Sequence, residues 1–237
     1  MHVHPSSPPL LHAVGLTKSF GETTALAGVD LTVHRGESVA IMGASGSGKT
    51  TLLHILAGIT TPDAGVVTYT GPSGAVRVSE LSDAERSRLR REQFGFVFQQ
   101  GFLLPELTAA ENVALPLMLG GMRRGDAEAH AARGLAALGL AGMEGRRPGQ
   151  LSGGQAQRVA IARAQATGAP VTFADEPTGA LDSATSGEVM GALLGSTTGA
   201  GRSLVLVTHD EGVAARCSRI VRVRDGLVLS DTAAASR

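Results

Sequence analysis

The chain has no surplus of charge of either sign: 21 basic and 21 acidic side chains give a formal net charge of +0. A global electrostatic pull toward nucleic acid is therefore missing, and no nucleic-acid partner is expected. Lysine is almost absent, Lys18 and Lys49 being the only two. Cysteine occurs once, which excludes an internal disulfide framework and suits a reducing compartment. That residue, Cys217 in "VAARCSRIV", is expected to be a small buried hydrophobe rather than a nucleophile. Aromatics are scarce at 3%, and none interrupts the arginines of "SDAERSRLRREQ", where Glu85 and Glu92 are interleaved. That stretch reads as a solvated helix face, not as a nucleic-acid patch. No apolar run approaches the ~20 residues that cross a bilayer. The opening "MHVHPSSPPLLHAV" lacks a basic region followed by a long apolar stretch, so no secretory signal is expected. Together these absences point to a cytoplasmic protein that meets a membrane only through a partner.

What is present is an ordinary globular balance, 43% hydrophobic and 18% charged over 237 residues, enough for a substantial core. Residues 1–9, rich in Pro, Ser and His, read as a loose tail before a single domain over 10–237. "LLHAVGLTKSF" and "LAGVDLTVHRGE" read as strands joined by a turn at Gly21. "SVAIMG" has the continuous apolarity of a buried parallel strand. A glycine-rich loop leads from it into the helix "KTTLLHILAGI", and "PDAGVVTYTG" returns to strand. The charged helix over 82–93 has an N-cap at Ser82 or Asp83. After the strand "FGFVFQ" the pattern turns helical over 103–165, and strands resume at "VTFADE", "SLVLVTHD", "RIVRVRDG" and "LVLSD". The organisation is an α/β core (10–102 and 166–237) interrupted by a helical insertion.

"GASGSGKT" matches G-x-x-x-x-G-K-[ST] between a strand and a helix, the context that gives this motif its meaning. Its glycines let successive backbone N–H groups face one phosphate, and the helix N-terminus adds a favourable partial charge. Lys49 is expected to reach the outer phosphates and the Thr50 hydroxyl to bind Mg²⁺. A Mg²⁺-nucleotide also needs a carboxylate beyond a neighbouring strand, and "VTFADEPTG" supplies Asp175 at a strand's C-terminal end. Glu176 comes next in the chain, points differently, and is the candidate base for an attacking water.

In chain order, "GASGSGKTT", "FVFQQ", "LSGGQAQRVAIARA", "ADEPTGALD" and "VTHD" resemble the nucleotide-binding subunit of an ATP-binding-cassette (ABC) transporter. The resemblance spans Leu10 to Asp231. "GFVFQ", "LLPELTAAENVALPL" and "ADEPTGALDS" are most similar to the branch of the macrolide exporters and the lipoprotein-releasing complex. The resemblance implies an α/β fold with a P-loop NTPase (RecA-like) core, an antiparallel β subdomain and a helical insertion. It implies ATP and Mg²⁺ as ligands. Gly43, Ala44, Ser45, Gly46, Ser47 and Gly48 would cradle the phosphates, with Lys49, Thr50 and Thr51 opening the helix. Phe20 stands where the family stacks an aromatic, usually Tyr, on adenine. Gln99 would touch Mg²⁺ and water beside Thr50 and Asp175, and would link the site to the insertion. His209 would contact the γ-phosphate. Asp182 would lie in a loop that crosses to a partner subunit, and also fits a helix N-cap.

"LSGGQ" is a second anion cradle: Ser152, Gly153, Gly154 and Gln155 open another helix with a hydroxyl and close backbone donors. Alone it would read as a Ser N-cap with flexible glycines. The resemblance implies that it reads the γ-phosphate of ATP bound to another copy, two chains facing head to tail around two ATPs. The implied function is an ATPase subunit driving a separate integral-membrane permease of the exporter or extractor type, with the protein peripheral on the inner face of the membrane. "ENVALPLMLGG" would contribute to the groove that docks a short helix of that permease. The alternative is a mechanotransmission ATPase that works a membrane protein without moving a substrate. Soluble relatives of DNA repair or translation carry coiled-coil arms, zinc insertions or tandem cassettes, which are not found here.

Overall fold

The structure is a computed structural model describing residues 8–233; most of the expected tail, residues 1–7, lies outside them. Two sheets and seven α-helices account for the described residues. The first sheet is antiparallel and ordered β2-β1-β4-β5, from β1 (Leu11–Phe20), β2 (Thr23–Val33), β4 (Ala64–Gly71) and β5 (Gly74–Arg77). The second is ordered β10-β9-β3-β8-β7-β6. It comprises β3 (Ser38–Met42), β6 (Phe94–Phe98), β7 (Val171–Asp175), β8 (Ser203–Thr208), β9 (Arg219–Arg224) and β10 (Leu227–Ala233). All its neighbours run parallel except β10, which pairs antiparallel to β9. Every residue of β3 and of β8 is buried, which is why both segments are apolar without alternation.

The helices are α1 (Lys49–Leu56), α2 (Asp83–Gln93), α3 (Ala109–Leu119), α4 (Arg124–Ala137), α5 (Gly153–Gln165), α6 (Ser183–Ser196) and α7 (Glu211–Ala214). Ser82 is the N-cap of α2: its hydroxyl accepts from the Glu85 N–H, and the Glu85 carboxylate accepts from the Ser82 N–H. Thr108 and Glu111 start α3 in the same reciprocal way. Helix α1 and the antiparallel sheet cover one face of the six-stranded sheet, and α6 and α7 cover the other. Helix α5 buries two faces. Ile161 and Ala164 join the sheet core, whereas Val159 and Ala162 join a cluster with α3 and α4. The helical region is thus anchored to the sheet through α5.

Strand β5 is the one element the sequence reading did not anticipate. Its four residues, "GAVR", are nearly all exposed and show no apolar alternation, so only pairing with β4 makes them a strand.

Five of the six phenylalanines and the single tyrosine form one chain of ring contacts. Tyr69, Phe94, Phe173, Phe96, Phe98 and Phe102 follow one another at centroid distances of 5.1, 5.2, 5.7, 6.1 and 5.3 Å. It runs from the antiparallel sheet through β6 and β7 to the loop after Gln99.

Candidate functional site

The loop between β3 and α1 forms the floor of a cleft of about 620 Å³. Ser45, Gly46, Gly48, Lys49, Thr50 and Thr51 line it, and Gln99, Glu176 and His209 close it from the ends of β6, β7 and β8. These are C-terminal ends of parallel strands, where open α/β sheets take their ligands. Thr23 and Ala25 of β2 complete the wall.

The loop is compressed from behind. A Cβ on Gly43 would lie 2.1 Å from the Val223 carbonyl oxygen of β9, and one on Gly48 would lie 2.2 Å from that of Ala25. No residue but glycine fits at either place. Gly43 and Ser47 therefore face the protein rather than the cleft. The Lys49 ammonium, on a side chain largely sequestered, donates to the Ala44 carbonyl at 2.7 Å. The Ser47 hydroxyl is buried with no hydrogen-bond partner. A largely buried lysine lining the cleft at a helix N-terminus fits an anionic ligand on this loop.

The Thr50 hydroxyl donates to Asp175 Oδ1 at 3.2 Å, so the two oxygens expected to hold a cation are already side by side. Burial pushes the Asp175 carboxyl above its ordinary range, and the Thr50 hydrogen bond opposes the shift. Among the described residues no group of three or more His, Cys, Asp or Glu side chains forms a cation cage. Two hard oxygens beside a phosphate loop fit Mg²⁺, which binds through few protein groups and keeps its remaining positions for phosphate oxygens and water.

Glu176 stands one residue past β7 in the left-handed region, φ +46°, which is uncommon for a non-glycine residue. Its carboxylate is largely shielded and 2.8 Å from His209 Nδ1. The two predicted site residues from β7 and β8 are thus one hydrogen-bonded pair. Gly179, the fourth residue past β7, leaves space for Gln99: a Cβ there would lie 2.9 Å from the Gln99 amide nitrogen.

The sequence profile of the family described as ABC transporter matches residues 26–179, a stretch that holds the phosphate loop, Gln99, "LSGGQ" and the Asp175–Glu176 pair. The chain belongs to the ABC transporter family. Solved ABC cassettes agree with the fold. The dimeric cassette MJ0796, and a post-hydrolysis dimer of it bound to ADP and Pi, each superpose with a TM-score of 0.85 at 40% identity. Each match covers 96% of this chain and all of that one. Among curated ABC proteins, the pyoverdine export ATP-binding/permease protein of Pseudomonas syringae pv. tomato is 48% identical over 95% of this chain. The corresponding protein of Pseudomonas aeruginosa is 46% identical over 95%. This chain spans about a third of the length of these relatives, 34% in both cases. It is an ABC ATPase cassette, an ATP-binding and ATP-hydrolysing unit. Among its described residues, no helix is long and apolar enough to cross a membrane.

The other predicted site residues of this ABC cassette lie off the cleft wall. Ser152 caps α5 in a capping box, accepting from the Gln155 N–H at 3.2 Å while Gln155 Oε1 accepts from the Ser152 N–H at 2.9 Å. Gly153 and Gly154 are the first two helical residues, whose N–H groups have no intrahelical acceptor. Asp182 caps α6, accepting from the N–H groups of Ala184 and Thr185 and from the Thr185 hydroxyl. These bonds hold its carboxyl below its ordinary range. A Cβ on Gly154 would lie 2.4 Å from Thr185 Cγ2, so "LSGGQ" and the Asp182 loop adjoin each other. Phe20 is 56% exposed and is not core; Lys18 Nζ sits 5.5 Å from its ring centroid. Thr23, its partner in the β1–β2 register, lines the cleft. Thr23, Ala25 and Gly179 escaped the sequence reading because only tertiary packing brings them to the phosphate loop.

Proposed function

We propose that this cassette powers a membrane exporter, by closing on ATP as a head-to-tail dimer and reopening after hydrolysis. The observation that carries the reading is the separation of two anion cradles. The phosphate loop lines the cleft with Glu176 and His209, whereas Ser152, Gly153 and Gly154 open α5 away from it. A second set of free helix N–H groups has no phosphate to meet within its own chain, and a second copy facing head to tail supplies one. That the MJ0796 cassettes are dimeric, one of them bound to ADP and Pi, supports a dimer of this cassette as well.

In this reading Lys49 leaves the Ala44 carbonyl for the outer phosphates, and the loop N–H groups take the remaining oxygens. Thr50, Asp175 and Gln99 would hold Mg²⁺, which would supply positive charge against the charge developing on the phosphates. Glu176 accepts the proton of the attacking water, and His209 orients it and reaches toward the γ-phosphate. Ser152 and the Gly153 and Gly154 N–H groups grip the γ-phosphate from the other chain. Its release removes that grip and lets the dimer open.

A groove of about 450 Å³ lies between β6 and α3, lined by Phe96, Phe98, Leu115, Pro116 and Leu119 and rimmed by Arg90 and Arg91. It contains part of "ENVALPLMLGG" and is the proposed dock for a helix of the membrane partner. The named export proteins combine ATP-binding and permease parts, which favours export as the task. Light scattering tests the central claim. A Glu176→Gln variant is expected to be dimeric with ATP and monomeric with ADP; one oligomeric state under all nucleotides overturns the reading.

A further inference from the structure

The loop that bears Gln99 is tied to the end of β6 by the Gly101 N–H, which donates to the Phe98 carbonyl at 2.9 Å, and is otherwise fastened by side chains of the helices. Gln157, on the fifth residue of α5 and only 4% exposed, donates to the Phe98 carbonyl at 2.9 Å. Arg163, two turns further along α5, donates to the carbonyls of Gly101 and Phe102, both at 2.7 Å. The far end is held by the wholly buried Asn112 of α3, which accepts from the Leu104 N–H and donates to the Leu104, Leu107 and Thr108 carbonyls.

This fastening opposes an unfavourable backbone. Gly101 and Phe102 have consecutive positive φ angles of +67° and +43°, and a bulky residue in the left-handed region costs energy unless its surroundings impose it. Only Phe102 is strained by this, since glycine adopts positive φ freely, and the Arg163 fork holds it by donating to the carbonyls of Phe102 and of Gly101 before it. Burial lowers the Arg163 pKa, and the two loop carbonyls accept from its guanidinium. Arg163 is half-buried, and both terminal nitrogens of its guanidinium are turned onto carbonyls of this one short loop, which ties the loop to α5.

We propose that Gln157 and Arg163 are positioning residues for Gln99: they make its loop move as part of α5, the helix whose N-terminus is the "LSGGQ" cradle. The side chain that enters a chain's own cleft and the cradle that serves the opposite one then shift together. The inference rests on the reading of Gln99 as a site residue. It is carried by the three carbonyls that Gln157 and Arg163 hold and by the strained backbone at Phe102, independent of any ligand.

A double-mutant cycle on ATP hydrolysis tests it. Arg163→Lys keeps the charge but loses the fork, and Gln157→Met keeps the shape but loses the bond to Phe98. Each is expected to lower kcat by about tenfold with KM for ATP nearly unchanged, since a small misplacement of a site group is costly while the phosphate loop is untouched. In a Gln99→Ala background the same substitutions are expected to cost less than about twofold, because groups acting through one residue are non-additive. Equal losses in both backgrounds overturn the positioning proposal while leaving Gln99 in the site. Normal turnover of Gln99→Ala alone overturns both. Thermal melting accompanies each variant, and should Arg163→Lys not fold, the Gln157→Met arm decides alone.

Discussion

Glu176 shows how much one position is asked to do. Its N–H donates to the Val207 carbonyl of β8, its own carbonyl accepts from the Gly179 N–H, and its carboxylate faces His209. Glu176→Gln preserves the shape and the hydrogen-bonding reach but not the basicity. Steady-state turnover is expected to fall by about 10²–10⁴ while equilibrium ATP binding survives; near-normal turnover would remove Glu176 from the role of base. Its identity was legible because "ADE" follows an apolar strand, but its left-handed backbone was not, since φ is set by contacts with β8 and Gly179. Cys217 gives a residue-scale prediction with a definite sign. It is buried, and burial pushes its thiol up to about 11 against the weaker pull of Ser38 and Arg216. The folded protein keeps a proton that the unfolded chain releases near 8.5. That contribution is complete below the unfolded value and is lost as pH rises through the folded one. Denaturant midpoints at neutral and strongly alkaline pH are expected to show wild type losing ground to Cys217→Ala, and native Cys217 should resist alkylation at neutral pH.

At the scale of elements, the junction of α5 with the sheet is a close approach of backbone to backbone between the helical region and the core. A Cβ on Gly95 of β6 would lie 2.5 Å from the Ala164 carbonyl oxygen of α5. Gly95→Ala must push a helix backbone off a strand, and is expected to destabilise by about 1–3 kcal/mol in equilibrium denaturation. Gly134, inside α4, has open space where its side chain would go. Gly134→Ala is expected to stabilise by about 0.5–1 kcal/mol, through helix propensity and a less flexible unfolded chain. A common response of the two variants would contradict the packing assigned to α5. The sequence distinguished strand from helix well where burial is one-sided or complete, as in β3, β8 and α2. It did not reveal that α5 buries two faces. The clue was there: Gln157 lies on the same stripe as Ala160, Ile161 and Ala164, a polar residue at an apolar position. Its reason is the carbonyl it holds, which no local pattern records.

For the molecule as a whole, the two cradles give the sharpest test of the dimer. In a Cys217→Ala background, Ser45→Cys and Ser152→Cys are expected to cross-link between chains, more with ATP than with ADP, as read on denaturing gels. A bond formed only within one chain would refute the head-to-tail arrangement. The phosphate loop shows the limit of a motif. Its chemistry is local, yet its shape depends on Val223 of β9 pressing on Gly43, and on the Gly226 N–H donating to the Ser47 carbonyl from the β9–β10 turn. Strand β3, which delivers that loop, is flanked in the sheet by β8 and β9 alone. Both partners come late in the chain. As the ribosome reads the message, β3 is complete at Met42 but must wait for Ser203 before its first neighbour begins and for Arg219 before its second. At ordinary elongation speeds that is roughly 8–30 s with a strand destined for full burial left unpaired. The nascent cassette is therefore a natural client for chaperones, and a chain halted before β9 should bind no ATP in a filter assay, though every residue of its phosphate motif has been made.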